Sequence, residues 1–212
     1  VALRTPDGMY HRASEHLELY LDKALVRVSD AVIDGWLAKL DKVYDAYTEL
    51  FDFFVPFGGR KMIVLSKQID AWAYAGYPTG SYGSGNGDWN WNEELFANFR
   101  MYYALCRTGY KVYMNNTVYT GAQIADMYRK SYEETLARGI ASDGDGLMYV
   151  MTRMADTEGW EPFRKAFREL YGLDPAVSCG ATKWEKIDCF FSVVSRYASK
   201  DLLETYFTPA QI

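Results

Sequence analysis

Histidine is scarce in this chain: His11 and His16 are the only two in 212 residues. They are five apart, so they turn onto different faces of any helix, and both lie near the start. That excludes a pair of helical zinc ligands one turn apart and leaves Cys-His nucleophilic catalysis without a well-placed base. Basic charge is short as well. A net charge of −5 and a pI near 5.1 give no cationic footprint for a polyanion, so nucleic acid is not an expected partner. No apolar run approaches the roughly 20 residues that span a bilayer, so no transmembrane segment is expected. The chain opens at Val1 without a basic stretch followed by an apolar one, and no signal peptide is expected within it. Three cysteines, Cys106, Cys179 and Cys189, form no metal spacing, and an odd count leaves at least one thiol free. Cys179 and Cys189 flank a short loop, where a disulfide and two free thiols both fit. Gly83-Ser84-Gly85-Asn86-Gly87 lacks the lysine of a phosphate loop, and Asp143 with Asp145 lacks the later acidic residue of a calcium loop.

Aromatic residues, by contrast, are abundant: 18 Tyr, 11 Phe and 6 Trp. Tyr and Trp combine apolar area with a polar tip, which suits both a packed core and a groove for peptide or sugar. The length supports one substantial core, so a single domain over 1–212 is expected, with an N-terminal lobe to about residue 88 and a C-terminal lobe from about 89.

Along the chain, Leu17, Tyr20, Leu21, Ala24, Leu25 and Val28 recur at three- and four-residue steps, which predicts an amphipathic helix from Ser14 with the histidines near its start. A longer stripe from Ile33 through Trp36, Leu37, Leu40 and Val43 to Phe54 predicts a second helix, capped near Asp30 and ended by Pro56. Lys61 to Ser66 reads as a strand, and Ala71 to Gly76 as a second, edge strand. Pro78 to Asp88, rich in Gly and Ser, reads as a linker. Beyond it the pattern is helical: from Asn90 or Asn92 to about Arg107, from a Thr120/Gln123 capping box to about Arg138, from Gly146 or Leu147 to about Asp156, from Trp160 to Leu170, from Lys183 to Ala198, and a short piece from Asp201 to Tyr206. The fold class expected is α+β, predominantly α, with a small β element around 61–76 and a C-terminal helical lobe.

One helix carries a chemical pattern. Asn92-Glu93-Glu94-Leu95-Phe96-Ala97-Asn98-Phe99 places Glu94 one turn before Asn98 on a single face, whereas Glu93 pairs with Ala97. Favourable placement of acids at a helix N-terminus accounts for the pair without further chemistry. The stretch also resembles the second ligand helix of gluzincin zinc metallopeptidases, in the enhancin-like and mucin-degrading branch. The likeness extends to Trp72–Gly76, Met101–Leu105, Gly159–Phe163 and Trp184–Ser195. It implies a zincin-like domain hydrolysing peptide bonds of proteins or glycoproteins, secreted or at the cell surface. Glu94 would be the third zinc ligand, oriented by Asn98, and Ala73 and Tyr74 would form an edge strand that binds extended substrate. In that family a His-Glu-x-x-His helix supplies the other two ligands and the general base. Here it would fall between Gly76 and Trp89, where no histidine stands. Zinc is therefore expected in an intact parent and not in this chain, and its catalytic residues stay unassigned. The alternative is a non-catalytic peptide- or glycan-binding module, with Trp72, Tyr74, Trp89, Trp91 and Tyr102 flanking the groove and self-association covering exposed apolar surface.

Overall fold

The computed structural model describes residues 9–24, 26–51, 61–65, 89–139, 144–171, 173 and 179–207. It divides into two compact units, Val1–Asp45 with Phe54–Tyr82, and Ala46–Phe53 with Gly83–Ile212. The described part is predominantly helical with two small sheets, in accord with an α+β, mainly α class.

In the first unit β1 (Met9–Ala13) pairs antiparallel with β2 (Leu17–Asp22), and β2 pairs parallel with β3 (Lys61–Leu65). Parallel neighbours need a long crossover, and α1 (Asp30–Leu50) lies within it. The segment from Ser14 is thus not the helix its spacing suggested. Leu17, Leu19 and Leu21 alternate at period two and bury against Ile33 and Leu37, and a leucine-rich run this short satisfies either periodicity. Across the same unit β1 and its turn meet a row of aspartates on α1. The Tyr10 hydroxyl donates to Asp30 at 2.5 Å, Arg12 to Asp34 through Nε at 2.9 Å, and the Ser14 hydroxyl to Asp41 at 2.8 Å. Helix α1 keeps Ile33, Leu37 and Leu50 buried, but Trp36, expected on its inner stripe, is exposed. The helix runs to Leu50 with Phe51 in the turn that follows, and the rest of the expected continuation, to Phe54, lies outside the described residues.

The second unit contains α2 (Glu93–Thr108), a hairpin of β4 (Val112–Met114) and β5 (Thr117–Tyr119), α3 (Gly121–Ala137), α4 (Asp145–Glu158), α5 (Glu161–Tyr171), α6 (Lys183–Tyr197) and α7 (Leu202–Tyr206). The caps expected at Asn92 and at Thr120 with Gln123 are present, and Thr182 with Glu185 adds one that was not expected. Asn92 accepts from the Leu95 amide, and Thr120/Gln123 and Thr182/Glu185 form complete capping boxes. Helix α2 ends on Gly109, whose φ of 67° suits a residue without a Cβ. The hairpin was not anticipated. Its two-residue turn, Asn115-Asn116, has φ of 49° and 60°, the left-handed pair that matches strand twist.

Aromatic rings dominate this unit's core. Trp89 lies 4.9 Å from Phe96 and 5.9 Å from Phe190, Phe99 lies 4.9 Å from Phe163, and Phe51 lies 4.6 Å from Phe167. A disulfide joins Cys179 to Cys189 across the start of α6 and leaves Cys106 free. Among the described residues no helix is long and apolar enough to cross a membrane.

Candidate functional site

Glu94 sits in the first turn of α2, two residues past the Asn92 cap. Its neighbours Leu95, Phe96 and Phe99 are buried, so the helix is fixed by its apolar face while the Glu94 side chain stays exposed. A carboxylate there also faces the positive end of the helix dipole, so its placement is favourable without a metal. Helix α4 opens close by: a Cβ built on Gly144 would stand 3.6 Å from Asn92 Nδ2. Tyr128, buried on α3, joins the same locality. Burial pushes its hydroxyl up to about 12, and the charges of Asp145 and Glu94 push the same way. Glu94 and Asp145 are thus exposed carboxylates at two helix N-termini, and the buried Tyr128 phenol feels the charge of both.

Asn98 is half-buried one turn after Glu94, and among the described residues no hydrogen bond joins them. Glu93 opens α2, and its side chain lies outside what is described. Ala73 and Tyr74, the expected substrate strand, also lie outside the described residues, as does Trp72. Two rings assigned to the groove are core instead: Trp89 is 2% exposed and Tyr102 4% exposed. Their stretch reads as a polar-aromatic platform, yet Trp89 precedes the helix cap and is drawn under it among Phe96, Phe167, Tyr171 and Phe190. Trp91 is half-buried against Phe96 and Phe190.

The histidines are not at a helix start. His11 lies in β1, its ring 4.5 Å from that of Tyr20 and its Nε2 3.9 Å from Glu18. His16 lies in the β1–β2 turn, stacked at 4.4 Å on Tyr44 with Nε2 3.1 Å from Asp45. Both belong to the first unit and Glu94 to the second. Among the described residues no three His, Cys, Asp or Glu side chains come together to hold a metal ion. Asp145 opens α4 as an ordinary first-turn acid.

A polar cluster that the sequence reading missed lies farther along α2. The Tyr102 hydroxyl donates to Asp156 Oδ1 at 3.1 Å, and Cys106 follows one turn further along the same helix. Burial, with the neighbouring Cys106 and Asp156, holds the Tyr102 hydroxyl well above its usual range, and burial raises the Cys106 thiol too. Both groups therefore stay protonated at neutral pH, which marks a structural link between α2 and α4 and not an activated nucleophile. The four-residue step from Tyr102 to Cys106 was visible in the sequence. Asp156, 54 residues away, was not.

Comparison with models of known protein families, with curated proteins and with solved structures finds no match to this chain.

Proposed function

We propose that the chain is a metallopeptidase-like domain of the gluzincin type that recognises protein or glycoprotein and, with its own residues alone, does not hydrolyse peptide bonds. The observation that carries this reading is the state of the acidic ligand helix. Glu94 is held out to solvent on a rigidly packed helix, as a third ligand would be, while the only two histidines are engaged by tyrosine rings and carboxylates of the other unit. A site with one carboxylate and no imidazole has too few donors for four-coordinate zinc. In an intact parent, a His-Glu-x-x-His helix would supply the rest, and Glu94 would complete the set. The Cys179–Cys189 bond supports an oxidising compartment, hence secretion or display at the cell surface, because cytosolic thiols are kept reduced.

The test is a titration of the chain with a mucin-type glycopeptide in the presence of zinc, followed by tryptophan fluorescence and by mass analysis of the peptide. Saturable binding with the peptide intact is expected. Cleavage that Glu94→Gln abolishes, or fluorescence unmoved at ligand concentrations on the order of 1 mM, would overturn it.

A further inference from the structure

The β4–β5 hairpin has a feature that neither the core nor Glu94 explains. Tyr113 and Val118, directly opposite across the ladder, are 68% and 52% exposed, and Asn115, Asn116 and Thr117 between them are exposed as well. Asn115-Asn116-Thr117 is also the sole Asn-x-Ser/Thr triplet in the chain. That triplet is the acceptor for N-linked glycan: the hydroxyl two residues on assists the asparagine carboxamide, and any middle residue except proline is tolerated. Its position meets the remaining demand. The turn is a two-residue type I′ connection in which Asn115, at φ 49°, adopts a conformation that asparagine tolerates better than most residues. The Tyr113 hydroxyl donates to Asn116 Oδ1 at 3.0 Å, which occupies the middle residue. Among the described residues no hydrogen bond engages the Asn115 side chain.

We propose that Asn115 is an N-glycosylation site, occupied as the chain passes through the compartment that forms the Cys179–Cys189 disulfide. The donor is a polyprenyl-diphosphate-linked oligosaccharide, and the catalyst an oligosaccharyltransferase. The Asn115 Nδ2 bonds to the anomeric carbon of the first sugar, the bond from that carbon to the diphosphate oxygen breaks, polyprenyl diphosphate departs, and Nδ2 loses one proton to a base of the transferase. A glycan on the hairpin tip buries no polar group of the protein. The exposed Tyr113 ring, two residues before the acceptor, offers the first sugar an apolar face, which accounts for a large aromatic left in solvent. The inference rests on the oxidising compartment proposed above and not on the peptidase-like reading.

Protein recovered from cells that secrete it is analysed by intact mass before and after peptide N-glycosidase, with thiol alkylation run in parallel. One oligosaccharide is expected. The glycosidase should remove it, and in the process convert the Asn115 carboxamide to a carboxylate. Thr117→Ala should abolish the whole mass shift, whereas Thr117→Ser, which keeps the hydroxyl, should retain it. Asn115 unmodified while Cys179 and Cys189 resist alkylation would overturn the site itself. Asn115 unmodified with both cysteines alkylated would overturn it through the compartment on which it depends.

Discussion

Truncating Phe99 separates the scaffold of α2 from the group it displays. Phe99 is fully buried, with ring centroids 4.9 Å from Phe163, 5.3 Å from Trp160 and 6.4 Å from Phe167. Removing a buried phenylalanine ring costs about 3–5 kcal/mol, the lost transfer free energy plus the cavity left behind. Close packing on three sides by other aromatics argues for the upper half of that range, because rigid rings collapse poorly into a gap. A domain of this size holds about 5–15 kcal/mol in all. The loss is therefore a large fraction of its stability. With a urea dependence of about 2 kcal/mol per molar, the unfolding midpoint of Phe99→Ala should fall by roughly 2 M. Glu94→Gln, at an exposed position five residues earlier on the same helix, should change stability by no more than about 0.5 kcal/mol. Equilibrium unfolding in urea, followed by circular dichroism and tryptophan fluorescence, measures both. A Phe99→Ala penalty below about 1 kcal/mol, or a Glu94→Gln penalty as large as that of Phe99→Ala, would refute the division between an anchored face and a displayed one.

Reducing the Cys179–Cys189 bond, or replacing both residues by serine, releases a loop of sequence separation 10. On loop-closure entropy this should destabilise the helical unit by about 2–3 kcal/mol, measured as a lower thermal midpoint with reductant than without. Tyr103 and Tyr128 have hydroxyls pushed up to about 12, chiefly by burial. Above pH 10 the unfolded chain then loses phenolic protons that the folded chain keeps, so stability should hold below pH 10 and fall as pH rises toward 12. Phenolate absorbance should show these groups titrating only with unfolding, and a reversible titration near 10 in the folded protein would contradict their burial.

The helical half of the fold was largely legible because its signals are local. Asn92, and Thr120 with Gln123, announce their helices through side chains that satisfy nearby amides, and the apolar faces of α2, α4, α5 and α6 follow the 3.6-residue period. The N-terminal region was misread for an equally physical reason. A short leucine-rich run carries both periods, and strand identity there depends on the non-local partner β3, more than 35 residues on. The β4–β5 hairpin was passed over because its strands have three residues each and its turn uses Asn-Asn instead of Asn-Gly. At the candidate site, the exposed Glu94 and its cap could be read from the helix pattern. The burial of Trp89 and Tyr102 could not, since an amphipathic ring suits a groove and a core equally, and only the packing of α2 against its neighbours decides between them.

Metal analysis decides whether Glu94 has zinc-binding partners within this chain. The chain is loaded with excess zinc, dialysed and assayed for bound metal alongside Glu94→Gln. If its own residues do not form a zinc centre, both proteins should retain far less than one equivalent and should not differ. One equivalent retained by the unaltered chain and lost in Glu94→Gln would contradict the account, since Glu94 would then have found partners that the described residues do not supply.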